Sequence, residues 1–245
     1  VRNGANLKSK EREELRKIDA ELAKIKLKFG ENVLAETNAF ELHITNKEEL
    51  NGLPETSLEL AEITAKQRNK KGWIFTLDYP SYIPFMTYAE NRFLRKKMAI
   101  AFGAKAFQNN KNDNQNNVLS IVNLRNKRAN LLGYKTHAHF VLEERMAENP
   151  NNVISFLNDL LEKATPAANK DFELLKNIAK KDGINNLEKW DSAYYSEKLK
   201  KQLFDLDQEL LKPYFKLENV INGVFKVAQK LYGLNFEEIN TIDTY

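Results

Sequence analysis

Two of the chain's three histidines lie beside two adjacent glutamates in one short segment, KTHAHFVLEERMAENP, at residues 135–150. Histidine and glutamate are common zinc ligands, so the segment raises the question of a metal site. If Thr136 begins a helix, each residue rotates by about 100°, and His137 and His139 lie about 160° apart around the axis. The two imidazoles therefore cannot bind one ion.

His139 and Glu143 lie one helical turn apart and supply two ligands, fewer than the three that a zinc site requires. We expect them to form a surface histidine–glutamate pair beside a core-facing side made of Ala138, Val141, Leu142 and Met146. The zinc-protease signature has a glutamate directly after the first of two histidines, and none of His43, His137 and His139 is followed by one. The sequence predicts no catalytic and no metal-binding residue, and it assigns none to substrate binding.

The composition excludes several chemistries. The chain has no cysteine, which rules out disulfides, thiolate catalysis and zinc sites that use sulfur. Its net charge of +4 comes from 38 basic and 34 acidic side chains that are interspersed along the chain. A nucleic-acid binder usually has a basic stripe, whereas the segment nearest to one, NLRNKRANLLGYK, carries an apolar helical stripe. We therefore expect no nucleic-acid partner, and an RNA-binding helical domain is the weakest alternative.

No apolar run approaches the roughly 18 residues that a membrane span requires, so we expect no membrane partner. The sequence also lacks the charged and apolar regions of a signal peptide. Because the opening VRNGANLKSKERE has no initiator methionine, a removed signal peptide stays open.

Apolar residues recur every three or four positions over most of the chain, which predicts amphipathic helices. The first stripe consists of Leu15, Ile18, Leu22, Ile25 and Phe29. Further helical patterns run from Pro54 to Gly72, from Thr87 to an end between Gly103 and Gln108, from Val118 to Gly133, from Pro150 to Asp182 and from Leu217 to Gly233. Thr87 and Glu90 have the spacing of a capping box. The pattern that ends at Gly133 has the stripe Val118, Ile121, Val122, Arg125, Ala129 and Leu132.

In two segments apolar and polar residues alternate instead. AFELHIT places Phe40, Leu42 and Ile44 on one side, and GWIFTLD does the same with Trp73, Phe75 and Leu77, which predicts two pairing strands. The tract NNKNDNQNN at 109–117 has no apolar residue and predicts a solvated loop or disordered tip. The expected fold is mainly α, a multi-helix body with one short two-stranded antiparallel ribbon, in a single helical region over 1–245.

The segment at 190–215 is rich in aromatic residues: Trp190, Tyr194, Tyr195, Phe204, Tyr214 and Phe215. Helical spacing favours packing in a core. Tyrosine hydroxyls can also bind a peptide, so a role in lining a cleft stays open.

Several segments, in order along nearly the whole chain, resemble the thimet-oligopeptidase-like zinc metallopeptidases, and among them the bacterial peptidyl-dipeptidases, also called dipeptidyl carboxypeptidases. These segments include FGENVLAETNAFELHI and GWIFTLDYPSYIPFMTYAENRFLRKKM, and the most specific are LLGYKTHAHFVLEERMA and WDSAYYSEKL with LKPYFKLENVINGVF. The resemblance implies a helical, prolate molecule split by a deep channel.

It also implies that the catalytic parts lie elsewhere. In this family the His-Glu-x-x-His helix, a third glutamate ligand, and a catalytic histidine and tyrosine belong to the C-terminal half. The chain then corresponds to an N-terminal or middle portion that is helical and non-catalytic, is inactive alone and has no cofactor. Its parent would use zinc to release dipeptides from the C-termini of short peptides, most simply in the cytoplasm, with the periplasm open.

The implied partners are the C-terminal half of the parent and, in the parent, short peptides. Apolar surface left uncovered by the missing half would favour self-association. An alternative from another class is a free-standing helical binding or scaffold module, which the aromatic segment and the lack of catalytic motifs favour.

Overall fold

Helices dominate the part of the chain that the computed structural model describes, residues 1–205 and 208–243. The α-helices are α1 Ser9–Ala39, α2 Glu55–Gln67, α3 Tyr79–Tyr88, α4 Arg92–Gly103, α5 Gln115–Leu131, α6 His137–Leu142, α7 Pro150–Lys181, α8 Ser192–Phe204 and α9 Leu217–Tyr232. The strands are β1 Leu42–Ile44 and β2 Trp73–Phe75. Short 3-10 helices span Lys47–Leu50, Lys189–Asp191, Gln208–Leu210 and Lys212–Tyr214. The predicted mainly α fold is confirmed.

The two strands pair antiparallel as predicted. Leu42 lies opposite Phe75 and Ile44 opposite Trp73, so the alternating apolar residues of both strands share one face. Gly72 precedes β2 with φ of +93°, and a Cβ there would lie 2.4 Å from the Ile44 carbonyl oxygen. Glycine is therefore required for the chain to enter the ribbon.

The main core lies against this face of the ribbon and is closed by α2, α3 and α4. Phe75 and Phe85 meet edge to face, with ring centroids 4.7 Å apart. Trp190, far along the chain, packs against the same cluster. The buried members are Leu42, Ile44, Leu50, Leu53, Ala61, Phe75, Leu77, Phe85, Met86, Ala89, Leu94 and Met98.

The predicted capping box of Thr87 and Glu90 is wrong. Thr87 lies in the last turn of α3, where its hydroxyl donates to the Ile83 carbonyl at 2.8 Å. Helix α4 begins instead after Asn91, whose side-chain oxygen accepts from the backbone N–H groups of Phe93 and Leu94 at 3.1 and 3.2 Å. Asparagine is among the strongest N-cap residues, so it sets the start of α4.

Helix α1 packs on α5 through a second apolar cluster that contains Ile18, Leu22 and Ile121. The prediction of a solvated loop at 109–117 is wrong at its end, because Asn114 is buried and α5 already begins at Gln115. The Asn32 side-chain amide donates to the Asn114 side-chain oxygen at 2.9 Å. Asparagine can be buried here because a partner from the other helix meets it.

Helix α7 is long and poorly covered. It begins at Pro150 after the Asn149 cap, continues past Pro166 and ends before Asp182 and Gly183, as predicted. Its apolar stripe faces solvent: Phe156, Leu157, Leu160 and Leu161 are all exposed. Neither α7 nor any other described helix combines the length and apolar content needed to cross a membrane.

The chain divides into two compact units, Val1–Leu199 and Lys200–Tyr245. In the second unit, α9 ends at Gly233 in the left-handed conformation, as the sequence predicts. The rings of Phe225 and Phe236 stack at 4.3 Å. That residues 1–245 form a single helical region stays a prediction.

Replacing Phe85 with alanine tests the main core. Phe85 is 0% exposed, so its loss should leave a cavity and lower the free energy of unfolding by about 3–5 kcal/mol, measured by urea denaturation. The matched control is Phe93→Ala on α4, where the ring is 63% exposed and the expected change is within about 1 kcal/mol. Equal losses in the two variants would contradict this core assignment.

Candidate functional site

The short helix α6 carries both histidines of the segment at 135–150, and Thr136 caps it as predicted. The Thr136 hydroxyl oxygen accepts from the His139 backbone N–H at 3.4 Å and lies 2.8 Å from His139 Nδ1. His137 has a different environment, because its Nδ1 is buried and has no hydrogen-bond partner among the described residues. Burial, followed by the charges of Arg125 and Arg128, lowers the pKa of His137 and favours the neutral imidazole.

The predicted surface pair of His139 and Glu143 does not form. Glu143 instead accepts hydrogen bonds from the Tyr134 hydroxyl at 2.5 Å and from Arg2 Nε at 2.8 Å. These two bonds, Tyr134 first, hold the pKa of Glu143 below its usual range. An arginine from the start of the chain, distant in sequence, outcompetes the local histidine for the carboxylate.

The predicted core-facing side of this helix is also wrong. Met146 is fully exposed, and α6 contributes no buried residue. The reason is length: α6 ends at Leu142, and the chain then turns before α7 begins.

No group of three or more histidine, aspartate or glutamate side chains that could hold a metal ion occurs within residues 1–205 and 208–243. The described residues therefore do not offer a zinc ligand set of the usual kind. That the chain as a whole carries no catalytic or metal-binding residue stays a prediction.

A buried carboxylate joins two distant parts of the first unit. Asp191, 0% exposed, accepts from Arg95 Nη2 at 3.0 Å and from Arg92 Nη2 at 2.7 Å. We call Asp191 with these two arginines the Asp191 clamp. Arg95 is 1% exposed, and its remaining guanidinium donors bond the Ala89 and Trp190 carbonyls at 2.7 and 3.2 Å.

The clamp favours the charged carboxylate. Burial alone would raise the pKa of Asp191, but hydrogen bonds from Arg92, the Glu188 backbone N–H and Arg95 outweigh it and lower the pKa. The Arg95 guanidinium carbon also lies 4.1 Å from the centroid of the Tyr194 ring. Every one of these contacts is internal to the first unit, so the clamp positions helices and is not aimed at a ligand.

The aromatic segment at 190–215 divides between packing and exposure. Trp190 packs against the main core and Tyr195 is buried, which accounts for its first part. Phe204, Tyr214 and Phe215 are exposed. The helical-spacing argument therefore holds only for the residues beside the clamp.

Between α1 and α5 lies an open groove, which we call the α1–α5 groove. Two adjoining cavities of about 390 and 330 Å³ share Phe29 and Val118 as lining residues. Their lining is mostly apolar and includes Phe107, Leu119, Ile121 and Val122. Cavities of this size and character are typical of sites that bind apolar groups.

One end of the groove is basic. Lys26 and Arg125 line both the groove and a further cavity of about 440 Å³, whose lining also includes Arg128, His137 and Asp19. Arg128 Nε donates to Asp19 Oδ1 at 2.6 Å. The side chain of Arg125 makes no hydrogen bond or ion pair with any residue that the structure describes. The site can therefore bind an apolar group that carries a negative charge at one end.

Sequence reasoning did not find this groove. Its apolar stripes were recognised as helical patterns, but periodicity alone does not indicate which stripes stay uncovered. The signal that could have found it is Arg125, a cation at a stripe position of α5 between Val122 and Ala129.

Comparison with known proteins gives a family match. The model of Peptidase family M3 matches residues 85–245. Oligopeptidase A of Salmonella typhimurium is 36% identical over 248 residues, covering 99% of this chain and 36% of that protein. Oligopeptidase A of Haemophilus influenzae is 37% identical with the same coverage. Dipeptidyl carboxypeptidase of Escherichia coli is 29% identical over 245 residues, covering 99% of this chain and 36% of that protein.

The chain thus spans little more than a third of the length of these relatives. The resemblance to thimet-oligopeptidase-like peptidases is confirmed at the level of the family. Within it, identity is higher to the two proteins named oligopeptidase A than to the dipeptidyl carboxypeptidase, which was the subfamily expected from the sequence.

Replacing Asp191 with asparagine tests the clamp. The variant leaves the buried Arg95 cation without its counter-charge, and the free energy of unfolding should fall by about 3–5 kcal/mol in urea denaturation. The matched control is Asp182→Asn, which breaks a pair with Lys198 whose side chains are about 40% exposed and should cost about 1 kcal/mol or less. A loss as small as the control's would show that the clamp is not needed.

Proposed function

The chain belongs to peptidase family M3, and on that premise we propose that it is a non-catalytic helical part of a metallopeptidase that hydrolyses oligopeptides. The observation that carries the proposal is the combination of two matches. The family model covers residues 85–245, and the alignment with the Salmonella oligopeptidase A takes in 99% of this chain but 36% of that protein. The catalytic residues of the parent then lie outside residues 1–245.

Zinc is the metal that we propose for the parent. When bound, it would supply an activated water and polarise the scissile carbonyl. The residues that the structure describes do not form a ligand set for it, so no step of the reaction is derived from them. What this chain contributes is a scaffold held together by the main core and the Asp191 clamp.

The exposed stripe of α7 supports this role. Four large apolar side chains, Phe156, Leu157, Leu160 and Leu161, face solvent on one helix. Soluble proteins rarely leave such a stripe bare, and it marks a surface that another part of the protein covers. We propose the remainder of the parent polypeptide as that cover.

Two substrate modes follow from the two kinds of relative. The higher identity to proteins named oligopeptidase A favours hydrolysis of oligopeptides. The likeness to a dipeptidyl carboxypeptidase supports release of C-terminal dipeptides as a second candidate. A peptide with an amidated C-terminus separates them, because only the second mode depends on the free carboxylate of the substrate.

A free-standing helical binding module is the alternative of another class. The parental reading frame after Tyr245 distinguishes it from a peptidase part. A stop codon there would favour the module, and a downstream His-Glu-x-x-His sequence would favour the peptidase.

Residues 1–245 alone should neither hydrolyse peptides nor bind zinc at one ion per chain, whereas the full-length parent should do both. The measurements are metal analysis after dialysis and mass spectrometry of a peptide mixture. Chelation of the parent should abolish its hydrolysis, and added zinc should restore it. One tightly bound zinc in residues 1–245 would overturn the proposal.

Residues 1–245 in isolation should self-associate through the α7 stripe. Sedimentation velocity should show a mass that rises with concentration, and Leu160→Glu should shift the chain toward monomer because it places a charge in the apolar contact. The control is Asn158→Glu, at an exposed polar position of the same helix. A wild-type chain that stays monomeric at every concentration would contradict this use of α7.

A further inference from the structure

The α1–α5 groove is open to solvent, and neither the main core nor the Asp191 clamp accounts for it. Its cavities adjoin one another from Phe107 at one end to Arg125 at the other. Val118, Leu119 and Val122 of α5 are 45–63% exposed along it. The groove is therefore an apolar surface with Lys105 near its Phe107 end and with Lys26 and Arg125 at its other end.

The cations at this end are not balanced within the part of the chain that the structure describes. Lys26, Arg125 and Arg128 share a cavity with one carboxylate, Asp19, and with His137, whose neutral form is favoured by its lowered pKa. Asp19 of α1 pairs with Arg128. One turn before Arg128 on α5, Arg125 shares its cavities with Lys26 of α1, a second cation.

A half-buried guanidinium beside another cation favours the approach of an anion. Arginine presents its donors in a planar fork that matches a carboxylate, so a carboxylate is the group that fits Arg125 best. The adjoining apolar lining requires that the same partner also carry apolar side chains.

The occupant that meets both requirements permanently is another part of the parent polypeptide. The chain spans 36% of the length of its oligopeptidase A relatives, so most of such a protein lies outside residues 1–245. A transient peptide would leave the apolar groove bare between reactions, whereas a segment of the parent would keep it covered.

Resting on the proposed function, we propose that the α1–α5 groove is the docking site for an apolar segment of the parent from outside residues 1–245. This segment places a carboxylate on Arg125 and apolar side chains over Val118 and Val122. The contact joins the helical part to the remainder of the peptidase at a surface separate from the α7 stripe.

A single engineered thiol tests the cover directly. Residues 1–245 contain no cysteine, so Val122→Cys gives this part of the chain one reactive site. Its labelling by a small maleimide, followed peptide by peptide with mass spectrometry, should be about tenfold slower or more in the parent than in dilute residues 1–245. Lys127→Cys, on the same helix and outside the lining of the groove, should label at similar rates in both.

Three outcomes would overturn the assignment. Equal reactivity of the thiol in Val122→Cys in both proteins would mean that nothing covers the groove. Protection in the parent that appears only after an oligopeptide is added would make a substrate the occupant. Protection in residues 1–245 that grows with concentration would make a second copy the occupant.

Charge reversal tests the carboxylate. Arg125→Glu should lower the melting temperature of the parent by about 2 °C or more, while Arg125→Lys should retain most of it. In residues 1–245 alone, Arg125→Glu should leave the melting temperature unchanged or raise it, since it removes repulsion with Lys26 and Arg128. Lys127→Glu is the control of equal charge change. An equal loss from Arg125→Glu in both proteins would assign Arg125 to the internal packing of this chain.

Failure of this proposal and failure of the proposed function are distinguishable. A parent without zinc or peptidase activity, in which the thiol of Val122→Cys is nevertheless protected, keeps the docking site and loses the function. A zinc-dependent peptidase in which that engineered thiol stays reactive keeps the function and loses the docking site.

Discussion

The buried pairing of Arg95 with Asp191 fixes how the first unit closes. Removing two charges from water costs several kcal/mol per ion, and mutual attraction offsets this only when the remaining donors are also satisfied. Arg95 meets that condition, because its guanidinium bonds Asp191 and the Ala89, Glu90 and Trp190 carbonyls. One arrangement of α4 against the turn that precedes α8 satisfies all of these groups, so the pair specifies geometry.

This constraint accounts for the course of the intervening chain. Helices α5, α6 and α7 leave the main core after α4 and must return to Asp191. Along this excursion α5 finds a partner in α1, while most of α7 finds none among the described residues. The result is a long helix held at its C-terminal end by the return to the clamp, with its apolar stripe bare, as the proposal that the chain is part of a larger peptidase of family M3 requires.

Local pattern was sufficient to predict the fold class and most helices, and it failed where a distant residue decides. The ribbon followed from alternation at Leu42, Ile44, Trp73 and Phe75, since period two is read directly from the sequence. The partner of Glu143 could not be predicted in this way, because it is Arg2, which is far away in sequence. The pattern likewise predicted a solvated loop at Asn114, whereas the structure buries this residue against Asn32 of α1, its hydrogen-bond partner. Such pairings depend on tertiary distances that periodicity does not encode.

The α7 stripe and the α1–α5 groove differ in whether the charged groups beside them have partners. On α7 two of the cations pair along their own helix, Lys163 with Asp159 and Lys176 with Glu173, at 2.8 and 2.6 Å. That face therefore requires only apolar cover. In the α1–α5 groove the lack of apolar cover coincides with the Arg125 guanidinium and a buried imidazole nitrogen of His137, both without a partner among the described residues. An unpaired arginine alone would not mark a binding surface, because its head group can extend into solvent while its stem covers apolar surface. The coincidence of both deficits at one place is the mark of a surface whose partner has a defined chemistry.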